Sequence, residues 1–261
     1  DERPIGIQIF GSDFDAMRAS AEIVERANPS LLDINYGCPV KKVVCKEAGA
    51  GILKNIPKMI ALTKAIVDNT KLPVTVKTRL GWDESTINIV EVAERLQDIG
   101  VKALTIHART RVQLYRGEAD WTWINRVKDN PRLTIPVFGN GDVDSPDKAL
   151  EYKNKYHVDG IMIGRGAIGY PWIFDEIKHY FKIGEHLAKP SVTDRVEAVR
   201  NHLTWAMEWK GERLGIVETR PHYTNYFKGI PNFKEHRLKL VTLDKPEELM
   251  LAFDEIIATF V

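Results

Sequence analysis

Apolar residues recur along the chain in short alternating runs: "PIGIQIF" (4–10), "LLDINY" (31–36), "PVTVKTR" (73–79), "KALTIHA" (102–108), "TIPVFGN" (134–140) and "DGIMIGR" (159–165). Period-two alternation bounded by turn residues predicts strands. Between the runs, segments 13–27, 56–69 after Asn55, 86–98 before Gly100 and 145–156 carry apolar positions at helical spacing. Strands alternating with helices of this length predict βα units and a parallel sheet.

Parity within the strands predicts which parallel sheet. Ile5, Ile7 and Ile9 oppose Gly6 and Gln8; Leu32 and Ile34 oppose Asp33 and Asn35; Val74 and Val76 oppose Thr75, Lys77 and Arg79. Leu104 and Ile106 oppose Thr105 and His107, and Ile135 and Val137 oppose Phe138 and Asn140. An open sheet covered by helices on both faces is apolar on both. A (β/α)8 TIM barrel packs one face on helices and points the other inward, with its chemistry at the C-terminal strand ends. The α/β barrel is therefore the predicted fold, an open six-stranded sheet with a polar face being the alternative. A barrel takes eight strands, so the reading expects two further βα units, roughly 70–80 residues, before Asp1.

After "GRGAIGYPWIFDEIKHYF" the strand pattern stops, and helices are predicted over 192–213, 217–228, 233–240 and 246–260. The expected division is a barrel over 1–185 and a small all-helical domain over 186–261. Across 200–240, eight Lys or Arg stand against four acids, interleaved with Trp205, Trp209, Tyr223, Tyr226, Phe227 and Phe233. Positive charge with aromatics suits a polyanion. Core aromatics under a solvated face is the plainer reading.

Composition narrows the class without naming it. At 44% hydrophobic and 28% charged, the 261 residues are those of an ordinary globular protein, and the net charge of +1 does not by itself suggest nucleic acid. No apolar run approaches the ~20 residues of a membrane span. Two cysteines seven positions apart make neither a disulfide framework nor a metal site, and a reducing, cytoplasmic compartment follows.

The candidate chemistry gathers at the predicted barrel mouth. "FGNGDV" (138–143) and "IGRGAIG" (163–169) follow the last two strands, the position of a recurrent barrel phosphate site. Glycines let backbone N–H groups approach phosphate oxygens, and Arg165 adds a charge-assisted contact. Without a separate dinucleotide fingerprint, a mononucleotide or sugar phosphate fits better than a dinucleotide. Gln8, Lys77 and His107 point inward from three other strands. Each alone is more often structural; together they suit a ligand with a polar ring, and a flavin fits, its reduced charge stabilised by Lys77. Cys38, in "DINYGCPVKK" (33–42), sits in a loop between Gly37 and Pro39 rather than in a core. A thiol there can act as general acid beside a flavin. Lys41 and Lys42 could favour its thiolate or meet a phosphate backbone. Cys45 lacks such a setting and is read as structural; Trp82 in "RLGWD" is as much a packing residue as a functional one.

These residues carry a resemblance. "GIQIFG", "DINYGCPVKKV", "VKTRLGW", "TIHARTR", "GNGDV" and "MIGRGAIGYPWIF" resemble, in order and spacing, the tRNA-dihydrouridine synthases, most closely the bacterial B-type. The resemblance implies FMN reduced by NADPH, hydride transfer to C6 of a tRNA uracil and protonation of C5 by Cys38. It implies FMN contacts from Gln8, Lys77, His107, Asn140, Gly141, Asp142, Gly164 and Arg165, with Asn35, Arg79 and Arg109 near flavin or uracil. The helical domain is implied to grip tRNA, with Arg220 and His222 where the family has an Arg-x-His pair. Pro221 stands where a basic residue is usual, and nothing here corresponds to the family's flavin-contacting Pro-Met-Ala turn. On its own this chain is accordingly expected to hold FMN weakly. A monomer is expected. Two rival readings are an FMN-dependent dehydrogenase of a small pyrimidine, of dihydroorotate type, and a non-catalytic RNA-binding protein.

Overall fold

The computed structural model describes residues 3–261. One compact unit runs to Val143 and resumes over Lys148–Ile163; the other comprises Asp144–Asp147 and Gly164–Val261. The first is built from β1 (Gly6–Ile9), α1 (Phe14–Arg26), β2 (Leu31–Asn35), α2 (Lys41–Val44) and a 3-10 segment at Gly49–Lys54. It continues through α3 (Ile56–Val67), β3 (Val74–Arg79), α4 (Ile89–Asp98), β4 (Ala103–His107), α5 (Thr122–Lys128), β5 (Val137–Asn140), most of α6 (Pro146–Tyr156) and β6 (Gly160–Met162).

The six strands pair parallel in chain order, β1-β2-β3-β4-β5-β6. Right-handed crossovers in an order that never reverses put all the helices on one face, and α1, α3, α4 and α5 pack side by side in sequence. That is the winding of a barrel wall; a doubly wound sheet reverses its order at a switch point. Leu32, Ile34, Val74, Val76, Leu104, Ile106 and Val137 are all buried on the helix side, each contributing about 1.5–3 kcal/mol. The other parity carries Gln8, Asp33, Asn35, Thr75, Lys77 and Thr105, exposed or half-buried. The parity argument thus gives the observed α/β sheet and its polar face.

Local signals start the helices. Asp13 caps α1 by accepting from the Ala16 N–H, and Asn55 caps α3 by accepting from the Lys58 N–H. Gly139 shows why β5 holds a glycine on its helix side. A Cβ there would lie 1.9 Å from Cζ3 of Trp121, itself buried and bonded through Nε1 to the Gly141 carbonyl at 3.0 Å.

In the second unit, α7 (Ile173–Ile183), α8 (Val192–Lys210), α9 (Glu212–Tyr226), α10 (Lys234–Thr242) and α11 (Pro246–Phe260) are all helical. Val196, Val199 and Leu203 of α8 share one core with Ile216 and Tyr223 of α9, Leu240 of α10 and Phe253 of α11. The break between α8 and α9 falls at Gly211, whose φ of 82° is in glycine's range, ahead of the break after residue 213 that the sequence pattern predicts. The aromatics divide. Tyr223, Tyr226, Phe227 and Phe233 are core, whereas Trp205 and Trp209 are 65% and 81% exposed.

Candidate active site

Cys38 lies just beyond the C-terminal end of β2, on a loop whose backbone from Gly37 to Pro39 is anchored at every polar group. Asn35 Oδ1 accepts from the N–H groups of Gly37 and Cys38, both at 2.9 Å. Arg79 Nε donates to the Gly37 carbonyl at 2.8 Å, Ala50 N–H to the Cys38 carbonyl at 3.0 Å, and Arg111 Nη2 to the Pro39 carbonyl at 3.3 Å. Proline has no N–H to satisfy. Gly49 completes the cradle: its φ is +53°, and a Cβ on it would lie 2.9 Å from the Cys38 carbonyl oxygen. The half-buried thiol itself makes no hydrogen bond among the described residues. The loop fixes the cysteine and leaves its Sγ–H uncommitted.

Beside this loop runs a polar network. Asn35 Nδ2 donates to Gln8 Oε1 (2.8 Å), Gln8 Nε2 to Asp33 Oδ2 (2.6 Å), and Thr75 Oγ1 to Asp33 Oδ1 (2.6 Å). Parallel register sets Asn35 opposite Lys77 and Lys77 opposite Thr105. One step further along, Arg79 stands opposite His107 and His107 opposite Asn140. Gln8, Asn35, Lys77, Arg79, His107 and Asn140, on five successive strands, therefore share one face and its C-terminal edge.

Two of them have no partner. Lys77 makes no hydrogen bond or ion pair among the described residues; burial, and then the Arg79 charge, lowers it from 10.5 to about 8 against the pull of Asp33. His107 is buried with Nδ1 unpartnered. Burial first, then the Arg79, Lys77 and Arg109 cations, push it down to about 3. Its ring is neutral at pH 7. Buried polar groups left without a partner are costly. A ligand with acceptor and donor atoms on a flat edge would satisfy both, so these residues fit a flavin ring.

Arg79 and Arg109 have commitments that sequence could not reveal. Arg79, only 4% exposed, also donates through Nη1 to the Thr110 and Leu114 carbonyls at 3.0 and 3.1 Å, tying the Cys38 loop to the loop after β4. Arg109 grips Asp142 bidentately at 2.8 and 2.6 Å and donates to the Gly117 and Arg116 carbonyls. Asp142 also accepts from Ala119 N–H. With φ of 130° at Gly141 and 58° at Asp142, the turn after β5 is tightly wound, and Asn140 Nδ2 donates to the Met162 carbonyl.

Lys41 and Lys42 are exposed on α2. Cys45, read as structural, is exposed rather than in a core. Gly164 and Arg165 belong to the second unit, where they open a short 3-10 turn and the space where a Gly164 Cβ would stand is open. Arg220 and His222 lie on α9 of that unit. Arg220 donates to the Leu243 carbonyl and Asp244, and His222 stacks against His202 with ring centroids 4.9 Å apart. Sequence reasoning missed Asp33, Thr75, Arg111 and Ala50. Asp33 and Thr75 had a signal, since each shares Lys77's parity on its own strand or its neighbour.

Comparison with known proteins follows from this geometry. Residues 1–259 match the family model for dihydrouridine synthases. "Probable tRNA-dihydrouridine synthase 1" of Synechocystis sp. is 41% identical over 258 residues, 99% of this chain and 72% of that protein. "tRNA-dihydrouridine synthase B" of Pseudomonas putida is 38% identical over 244 residues, 94% of this chain and 72% of that protein. Among solved structures, a Pediococcus acidilactici protein described as a lactate oxidase superposes with a TM-score of 0.50 at 18% identity. That likeness covers 70% of this chain and 56% of the other, and speaks to the fold alone.

Proposed function

This chain belongs to the dihydrouridine synthase family, and from that premise we propose that it reduces the C5–C6 double bond of specific uridines in tRNA, with bound FMN and with NADPH as reductant. The observation that carries the reading is one face on which a thiol with a fully anchored backbone accompanies two nitrogens without a hydrogen-bond partner among the described residues, Nζ of the half-buried Lys77 and the buried Nδ1 of His107. When bound, FMN reduced by NADPH supplies hydride to C6 of the uracil. The chain's own residues do the rest.

Cys38 holds a proton at Sγ and delivers it to C5, which leaves a thiolate that regains its proton from solvent before the next turnover. Asn35 and Arg79 act through the loop, keeping that thiol in place. Lys77 presents a positive charge to the anionic edge of the cofactor, His107 a neutral ring, and Gln8 and Asn140 their amides. Gly141 and Asp142 belong to the phosphate side of the same cofactor. Lys41, Lys42, Arg220 and His222 meet the tRNA. The target base leaves its stack to reach Cys38, as substrates of base-modifying enzymes do.

The test is to reduce the enzyme's flavin without oxygen and add unmodified tRNA. Rapid reoxidation by tRNA, and none by free uridine or orotate, is the expected result. Reoxidation by a small pyrimidine alone would assign the protein to the dihydroorotate-type reaction instead, and a protein that binds tRNA but holds no flavin would be a plain RNA binder.

A pH dependence follows from Lys77. Its folded pKa lies below the unfolded value, from 10.5 down to about 8. The charge that meets the cofactor is thus present below about pH 8 and lost as pH rises through it. FMN affinity is expected to fall above pH 8, and Lys77→Met to weaken FMN binding at least ~10-fold and flatten that dependence. Without cofactor the sign reverses: between about pH 8 and 10.5 the unfolded chain binds the extra proton, so stability rises with pH. Flavin titration by fluorescence quenching from pH 6.5 to 9.5 reads the first effect, and chemical denaturation of the cofactor-free protein reads the second.

A further inference from the structure

We propose that a second, basic cavity beside the Cys38 loop binds a phosphodiester group of the RNA strand next to the uridine being reduced. The inference rests on the tRNA reading above and adds a site to it. The cavity measures about 580 Å³, and Lys41, Glu47, Lys54, Lys58, Trp82 and Arg111 contribute to its walls.

Its charge is unbalanced. Lys58 is neutralised by Glu47 at 2.7 Å. The side chains of Lys41 and Lys54 make no hydrogen bond or ion pair among the described residues. Arg111 reaches only the Pro39 carbonyl, and its Nε is buried without a partner. Glu47, the one carboxylate in the walls, is thus taken up by Lys58, and three further cations face the same space. Lys54 Nζ lies 3.9 Å and Arg111 Cζ 4.8 Å from the centroid of the Trp82 ring. A π face attracts a cation electrostatically without taking up all of its N–H donors. The tryptophan holds the charges and keeps their donors available for acceptor oxygens, which describes a receptor for a phosphate.

Position supplies the source of the phosphate. The walls are bonded to the thiol loop itself: Ala50, in the 3-10 segment that supplies Lys54, donates to the Cys38 carbonyl, and Arg111 donates to the Pro39 carbonyl. A polymer that offers one base to Cys38 must lead its neighbouring sugar-phosphates past this loop. The free reductant fits less well. A dinucleotide wants a surface for its adenine, and the Trp82 ring already carries two cations. Phosphate contacts of this kind fix register without reading sequence.

The test replaces the two exposed lysines, Lys41→Gln with Lys54→Gln, and measures tRNA affinity against salt concentration. A control, Lys71→Gln with Lys102→Gln, removes equal charge just before β3 and β4, at the opposite end of the strands. The expected result is a log–log salt slope shallower by about two for the cavity variant, one per lysine, with the control unchanged. The KM for NADPH and the thermal unfolding of both variants should match the parent. An unchanged slope, or an equal loss in both variants, would overturn the proposal. A raised KM for NADPH with tRNA affinity intact would assign the cavity to the reductant's phosphates and overturn it too. A parent protein whose reduced flavin ignores tRNA would defeat the functional reading first, and this site with it.

Discussion

Cys38→Ala is expected to lower the rate of uridine reduction by roughly 10²–10⁴-fold, the range for loss of a general acid, with tRNA affinity and FMN content unchanged. The expectation of unchanged binding rests on how the loop is built. Asn35, Arg79, Ala50 and Arg111 hold the backbone from Gly37 to Pro39 through N–H and carbonyl groups alone. No hydrogen bond among the described residues depends on the sulfur, so alanine keeps the loop's shape and removes only the proton source. Single-turnover reoxidation of the reduced enzyme by tRNA separates the two effects. A loss smaller than about tenfold would mean that the proton at C5 has another donor, with Lys77 the nearest alternative in chemistry. A loss shared by affinity and rate would mean instead that the thiol shapes the loop after all.

The parts of this site that were legible in the sequence are those encoded by period two. Lys77 and His107 fall on one face because each sits at the same parity as a flanking threonine or arginine, opposite buried Val76 and Ile106. Gln8 and Asn140 follow by the same rule. The caps at Asp13 and Asn55 and the glycine before β4 mark helix ends through bonds spanning three or four residues, so the α1 and α3 boundaries were legible too. Contacts across dozens of residues were not. Nothing near Arg109 in sequence announces Asp142, 33 positions away, and nothing near Trp82 announces Lys54 and Arg111. The helix α5 has only two turns in which to show a period, and the apolar positions of α7, Ile173, Ile177, Tyr180 and Phe181, directly follow a loop of glycine, proline and tryptophan that masks where the helix starts. Trp205 and Trp209 could not be told from the core aromatics around them, since burial on α8 is decided by how α9 and α11 pack against it.

Arg109→Met is expected to cost about 2–4 kcal/mol of folding stability, somewhat below the penalty for breaking a fully buried ion pair, because the Asp142 side chain left behind is 21% exposed. Arg109 is 2% exposed, and among the described residues its guanidinium is the one donor to the Arg116 and Gly117 carbonyls, besides its grip on Asp142. Methionine replaces the stem but takes the bidentate guanidinium away from the Asp142 carboxylate, which still accepts from the Ala119 N–H. Asp142→Asn should cost less, because the amide oxygen still accepts from a donor. Removing both charges, Arg109→Met with Asp142→Leu, should recover part of the loss, so that the double-mutant cycle gives a coupling of ~2 kcal/mol or more. Denaturant unfolding of the four proteins reads the cycle directly. The outcome also decides a question that sequence left open, since the family resemblance places Arg109 near flavin or uracil. A large coupling with normal catalysis per folded, flavin-loaded molecule makes Arg109 a positioning residue, whose work is to hold the Asn140–Asp142 turn in its left-handed backbone. A variant that folds normally yet fails to turn over would put the guanidinium in contact with the substrate, and Asp142 would then be the residue that holds it there.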